Sequence, residues 1–430
     1  MPPSSQHSAR CVFLWPLGDA EDVWISGEGA FPADDDGIRS QVTLRGIVFK
    51  IPYVQYSSRQ TTSQNYRVVA RTRTLSDAPA RMLELLAWAV LLCLLFRVLA
   101  KLTDIYALIR PDAPAPPSLL MMPRLMLRKG MFTLYGAMFL FLSKDKISKS
   151  QLARAPDADE IASRVDSEVR VIFIRHGESM WNLVFNRGFG PSFLLRLVRA
   201  VLMELYLIPF DDSCFLDSPL SDLGLEQCSS LQSFLRNPCL DPAAQADFDV
   251  LTAGEGRSVI VSSQLRRAAA TAAIGLADRL RRTNEPILLH SSCQEISRNF
   301  DTISITEAGS GPTLRGSAEL ERRLHYDGAA NKGNKTLSFR GLQRLQDFAG
   351  WAAKRPESTV IVAGHSLWFR EFFKLYLPRG AEHTCKKRKI VNCGAVGFTL
   401  QTAGRAADGS LRHRIDPTSI SVIYGGFAAK

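Results

Sequence analysis

In the second half of the chain, branched apolar residues come in short unbroken runs separated by stretches of helical period. Val169-Arg170-Val171-Ile172-Phe173-Ile174 is the first such run, and Val259–Val261, Ile287–Leu289, Val360–Ala363 and Val396–Thr399 repeat it. Continuous β-branched runs suit strands buried on both faces, as in parallel sheets. Between them, Leu223–Leu235, Leu265–Arg282 and Phe339–Lys354 carry apolar positions at helical spacing. Strands alternating with helices predict βαβ units and a mostly parallel central sheet in a three-layer α/β/α sandwich. Phe193–Ile208 reads as an extra amphipathic helix inserted after the first strand, and packing is its default role.

The first half has a different texture. Val42–Leu44 and Ile47–Ile51 have strand character, Asp34–Gly37 that of a turn, and Ser57–Asn65 is polar. Two apolar segments follow, Leu83–Leu102 and Met131–Leu142, with Arg97, Lys101, Arg110, Arg124, Arg128 and Lys129 between or inside them. A spanning helix needs about 20 apolar residues, so the first segment just qualifies and the second is short. Three arrangements fit the first: a spanning or interfacial helix, a hairpin of both segments in one leaflet, or packing onto the following domain. Pro111–Pro117 is a stiff linker. The expected organisation is a poorly ordered region 1–80, an N-terminal extension 81–160 with one or two apolar helices, and a catalytic domain 161–430.

The chain has 430 residues, 46% of them hydrophobic, and a formal net charge of +11. The length allows a sizeable core plus an extension, and the charge favours anionic partners without choosing among phosphorylated substrates, acidic lipid and nucleic acid. No aromatic-basic motif supports nucleic-acid binding, so none is expected. The eight cysteines show no Cys-x-x-Cys spacing, which predicts reduced, mostly buried thiols in a cytoplasmic protein without a metal centre. No secretory signal is visible at Met1–Gly18.

The candidate chemistry sits at strand ends, where open parallel sheets bind ligands. Arg175-His176-Gly177-Glu178-Ser179 follows the first run, with Asn182 just beyond. A histidine there can attack phosphorus once its other ring nitrogen is fixed by a carbonyl, Arg175 would neutralise phosphoryl charge, and Gly177 would let backbone amides approach an anion. Gly364-His365-Ser366 repeats this grammar after Val360–Ala363. Ser262–Ala272 also follows a strand and opens a helix, giving an anion site with Arg267 as the better donor and Arg266 the alternate. Glu295 lies past Ile287–Leu289 and suits a proton donor to the leaving oxygen; Glu178 is a rival expected to be structural. Lys332 and Lys335, in the loop Gly328–Lys335, read as flexible solvated lysines.

Together these residues resemble the histidine phosphatase superfamily, the phosphoglycerate mutase-like group. Arg175–Ser179 with Asn182 is similar to that family's first signature. Leu220–Gln227 resembles its "Leu-Thr-x-x-Gly-x-x-Gln" helix start, and Ser263–Ala272 its arginine helix with Gln264 in place of proline. Gly364-His365-Ser366 matches its second histidine. The resemblance covers about Val169–Thr402. It implies His176 as the nucleophile that becomes phosphohistidine, Arg175, Arg267 and His365 as the phosphate pocket with Asn182 in support, and Glu295 as acid and then base. It implies no metal and no cofactor. Where glycolytic mutases carry Glu-Arg-His-Tyr-Gly, this chain reads Glu295-Ile296-Ser297-Arg298-Asn299, which favours hydrolysis of a phosphate monoester over a phosphosugar mutase. A catalytically inactive phosphate-binding scaffold is the reading from a different class. The expected partners are a phosphorylated small molecule or phosphoprotein and an anionic membrane, the latter through residues 83–102.

Overall fold

The computed structural model of the chain describes residues 40–44, 47–51, 82–91, 94–95, 97–98, 101, 118, 120–154, 165–237, 242–253, 258–314, 324–338, 340–405 and 411–429. The turn expected at 34–37, the polar stretch 57–65 and the linker 111–117 lie outside them. The chain divides into two compact units, Met1–Leu92 and Cys93–Lys430. In the first, β1 (Ser40–Leu44) and β2 (Ile47–Ile51) form an antiparallel hairpin in which Leu44 faces Ile47. The two expected strands are thus one ribbon. A short apolar helix, α1, runs Met82–Leu91.

The second unit is built on an eight-stranded sheet. Its strands are β3 (Val165–Arg175), β4 (Ser258–Ser262), β5 (Ile287–Leu289), β6 (Tyr326–Asp327), β7 (Thr359–Gly364), β8 (Ala395–Arg405), β9 (Leu411–Ile415) and β10 (Ser421–Tyr424). The order is β10-β8-β3-β7-β4-β5-β6, with β9 paired to β8. The inner run β3-β7-β4-β5-β6 is parallel, and β8, β9 and β10 are antiparallel additions at one side. The helices are α2 (Met122–Leu142), α3 (Lys149–Arg154), α4 (Met180–Phe185), α5 (Pro191–Tyr206), α6 (Asp222–Leu235), α7 (Pro242–Ala253), α8 (Arg266–Gly275), α9 (Ala277–Thr283), α10 (Gly341–Ala352), α11 (Ser366–Tyr376) and α12 (Thr384–Lys387). The stretch 265–282, expected as one helix, breaks at Leu276.

The period-two alternation of the strands sorts the apolar side chains into two cores. Val171, Phe173, Val360 and Val362 point to one face, where Phe348 of α10 and Trp368, Phe369 and Phe372 of α11 cover them. Phe173 stacks on Phe369 with centroids 4.1 Å apart. Ile172, Ile174, Ile361 and Ala363 point to the other face, under α6, α7 and the alanine-rich α8. Helices on both faces of one mostly parallel sheet give the three-layer α/β/α sandwich.

The N-terminal helix departs from expectation. The second apolar segment begins nine residues earlier than its composition suggests, and α2 spans 21 residues. Pro123 in the first turn supplies the start, since proline lacks only an amide that has no helical partner there. Among the described residues α2 is the one helix long and apolar enough to cross a membrane. Its inner face nevertheless packs into the rest of the second unit. Phe139 is buried against Leu216 and Ile303, the Phe300 ring lies where a side chain on Gly136 would be, and the Tyr135 hydroxyl donates to the Lys335 carbonyl at 2.6 Å.

Just past α2, Asp145 is fully buried, 2.8 Å from Lys335 Nζ and 2.5 Å from Arg344 Nη2. Lys335 also donates to the carbonyls of Glu295 (2.7 Å) and Ser297 (2.6 Å), and Arg344 to that of Gln294. Lys335, expected in solvent, is therefore a core cation. Burial pushes its amine down to about 8, with Asp145 pulling the other way. This packing ties Asp145, which precedes residue 161, into the core of the second unit. Removing one partner of a buried ion cluster costs about 3–5 kcal/mol. Asp145→Asn should therefore lower the urea midpoint of the full chain without changing the slope of the transition, and a chain cut at residue 160 should fail to fold. An unchanged midpoint would show that Asp145 does not hold this region together.

Candidate active site

Strand register decides where the site lies. β3 and β7 are parallel neighbours with Arg175 opposite Gly364, so His176 and His365 leave the sheet side by side. Their rings lie with centroids 5.1 Å apart, tilted by 57°, and both are buried. His176 Nδ1 is 2.6 Å from the carbonyl of Gly177. That carbonyl can only accept, so Nδ1 carries the hydrogen and Nε2 is left as the basic nitrogen. Burial lowers the His176 pKa well below its ordinary value, and Arg267 and Arg175 lower it further; the ring is neutral at physiological pH. Burial and Arg267 act on His365 in the same direction. His365 Nε2 lies 2.7 Å from Ser263 Oγ at the end of β4, and its Nδ1 has no protein partner.

Two arginines flank the pair. Arg175 donates to the Ile390 carbonyl at 2.7 Å, and burial pushes its guanidinium down to about 10 despite the nearby Glu295. Arg267, on the first turn of α8, donates to the Asp301 carbonyl at 2.6 Å and pairs with the Asp301 carboxylate at 3.1 Å. Arg266, its alternate, turns away into a separate buried cluster, pairing with Asp212 at 2.5 Å and donating to the Asp217 and Ser213 carbonyls.

Glu295 sits at the first turn of α11, the helix that His365 caps. Its carboxylate accepts from the amides of Trp368 (2.9 Å), Leu367 (3.3 Å) and Ile296 (2.9 Å), and it acts electrostatically on Arg175. Glu178 is structural: Arg187 grips it through two bonds of 2.8 and 2.7 Å, and Ser221 donates to it at 2.8 Å. Asn182 is half-buried on α4, where its amide nitrogen binds Ser179 Oγ and its side chain accepts from Asn186 at 2.7 Å; these contacts do not bring it to the histidine pair.

Gly177 has a role in packing. Its amide donates to Thr271 Oγ1 at 3.1 Å, and a side chain there would meet the carbonyl of Gly224 at 2.6 Å. Glycine is needed there because the start of α6 presses on the loop. Sequence reading also passed over Asp301, Ser263 and Lys389. Ser263 lay within a noted motif. Asp301, whose carboxyl burial raises although Arg267 pulls it down, carried no local signal. Lys389 is exposed at the edge of the site, and its amine is lowered by desolvation and then by Arg175, with Glu295 pulling the other way.

Among the described residues no group of three His, Cys, Asp or Glu side chains could hold a metal ion. The arrangement is thus a neutral basic nitrogen, a second histidine, one buried and one half-buried arginine and a carboxylate at a helix N-terminus, all at the carboxyl ends of parallel strands.

No family model matches the sequence, and no curated protein does. The chain is similar to the solved structure of a mycobacterial glucosyl-3-phosphoglycerate phosphatase, at 16% identity over 60% of this chain and 100% of that one, with a TM-score of 0.27. It is similar to a phosphoglycerate mutase from Bacillus anthracis at 12% identity over 60% and 95%, with a TM-score of 0.29. An ecdysone phosphate phosphatase from Bombyx mori shares 16% identity over 58% and 93%, with a TM-score of 0.30. With TM-scores this low, the likenesses decide nothing about the site.

Proposed function

We propose that this chain is a phosphomonoesterase of the histidine phosphatase superfamily, working through a phosphohistidine on His176. The observation that carries the reading is the pair of buried histidines 5.1 Å apart, with His176 held neutral beside Arg175 and Arg267. His176 Nε2 attacks phosphorus, the ester P–O bond breaks, and the leaving oxygen takes a proton from Glu295. Glu295 then removes a proton from water, the water oxygen attacks phosphorus, and the P–N bond breaks to free His176. Arg175, Arg267 and His365 bind the phosphoryl oxygens. Phosphoryl transfer passes through a loose, charge-rich transition state, so fixed cationic donors are what such a site needs. No metal takes part in this scheme. The substrate is a phosphorylated small molecule or phosphoprotein.

The proposal also places the enzyme in the cytoplasm against an anionic membrane, with residues 83–102 as the tether. Two further helices suit that surface. α2 exposes Leu127, Met131, Leu134 and Phe141, and α5 exposes Leu194, Leu195, Leu202 and Leu205. Arg124, Lys144, Lys146 and Arg199 are exposed around them, while the acids in these stretches, Asp145 and Glu204, point inward to Lys335 and to Ser213 and Lys129. Apolar helix faces with basic neighbours fit the interface of anionic lipid. A helix docked as α2 is would lose its inner contacts by crossing, so lateral contact is the arrangement consistent with its packing.

Hydrolysis of an aryl phosphate by the full chain in EDTA tests the chemistry. The wild type should turn over, and His176→Ala should lose about 10³-fold or more; equal turnover in both would sink the mechanism. The acid limb of kcat/KM should fall well below pH 6.5, because His176 must be neutral to attack and its pKa is depressed. A limb centred at 6.5 or above would contradict that environment. For the membrane, Leu195→Glu with Leu202→Glu should weaken flotation with phosphatidylserine vesicles about tenfold or more, and unchanged flotation would remove α5 from the contact.

A further inference from the structure

Beneath the loop that carries His176 lie two thiols that the chemistry above does not use. Cys228, on α6, and Cys393, in the turn before β8, are 165 residues apart in sequence, yet their sulfurs are 3.6 Å apart and both side chains are fully buried. Each is joined to the phosphoryl-transfer site by one contact. Cys228 Sγ donates to Thr271 Oγ1 at 3.5 Å, the same oxygen that accepts from the Gly177 amide at 3.1 Å. The Cys393 amide donates to the Arg175 carbonyl at 3.0 Å, while the Arg175 amide donates to the Gly394 carbonyl at 3.1 Å. Cys393 adopts φ +57°, a left-handed conformation that residues with a side chain seldom take and that the surroundings must enforce. The other described cysteines, Cys214, Cys293 and Cys385, are buried too. Burial pushes the thiols of Cys293 and Cys385 up, the latter to about 12. Cys228 moves the other way, because the Cys393 thiol and Thr271 stabilise its thiolate.

We infer that Cys228 and Cys393 are an oxidisable pair whose conversion to a disulfide switches off the adjacent phosphoryl-transfer site. The oxidant is a hydroperoxide. The Cys228 thiolate attacks one peroxide oxygen, the O–O bond breaks, and the other oxygen leaves as water or alcohol after taking up a proton. The sulfur of Cys393 then attacks the resulting sulfenic acid, gives up its proton, and expels water. Two thiols lose two electrons in all, and one peroxide is reduced. A disulfide needs its sulfurs at about 2.05 Å, so the pair must close by roughly 1.5 Å. That movement is delivered through Thr271 to Gly177, whose carbonyl fixes the His176 ring, and through the Cys393 amide to Arg175. Misplacing catalytic groups by about 1 Å costs on the order of 100-fold in rate. Because both thiols are shut off from solvent, oxidation is slow and follows local opening of the loop.

The loss of turnover rests on the phosphatase reading; the bond itself does not. The full chain is incubated with hydrogen peroxide, free thiols are blocked, and disulfides are mapped by mass spectrometry. Affinity for inorganic phosphate and turnover of an aryl phosphate are measured before and after dithiothreitol. The expected result is a Cys228–Cys393 cross-link, a drop of about tenfold or more in both phosphate affinity and turnover, and recovery on reduction. Cys228→Ser should keep the activity of the reduced enzyme and lose its sensitivity to peroxide, with Cys228→Ala as a second variant should serine fold poorly. Absence of the cross-link overturns the inference, as does a cross-linked protein that binds phosphate like the reduced one. If the reduced protein hydrolyses nothing, the phosphatase reading fails, while the cross-link and phosphate affinity still decide the switch.

Discussion

The parallel register between β3 and β7 is the constraint from which the site follows. Side chains alternate along a strand, so a slip of one residue in either strand would turn its apolar set from one core to the other. Val171 and Phe173 on one side and Ile172 and Ile174 on the other make that slip costly. Once the register is locked, Arg175 stands opposite Gly364, and the next residues on the two strands are the histidines. The site is thus a by-product of how the sheet packs, with no separate device needed to bring residues 189 positions apart into contact.

The second layer of control comes from charge. The acidic segment 293–301 has little regular structure of its own, only two short 3-10 turns. It is held because Lys335 and Arg344 bind its carbonyls and are themselves held by Asp145. Glu295 and Asp301 lie in this segment, the first against the α11 amides and the second against Arg267. A helix that looks like an appendage therefore fixes, through the residue just after it, the loop that shapes one wall of the site.

What the sequence disclosed follows the range of the forces involved. The strands, the two histidine turns and the arginine helix are written in local patterns: branched runs, terminal glycines and a helix start. The placement of His176, His365 and Arg267 at strand ends and a helix start was legible for that reason. Lys335 was misread because nothing beside it in sequence reveals an aspartate 190 residues away. Asp301 was missed because its partner is equally remote. The α2 boundary was drawn late because Arg124, Arg128 and Lys129 interrupt the apolar pattern, although Arg128 and Lys129 find partners in Asp211 and Glu204. The antiparallel direction of β8 is likewise a matter of neighbours, since its residues read as a buried strand in either orientation.

The separation between Asp145 and its two partners has a consequence for how the chain is made. Arg344 lies 199 residues downstream of Asp145. At a synthesis rate of about 5–20 residues per second, α2 and Asp145 emerge from the ribosome roughly 10–40 seconds before the groups that will cover and neutralise them exist. During that interval the newborn chain carries a 21-residue apolar segment whose inner face has nothing yet to pack against, so the exposure of that segment is set by the length of chain still to be made.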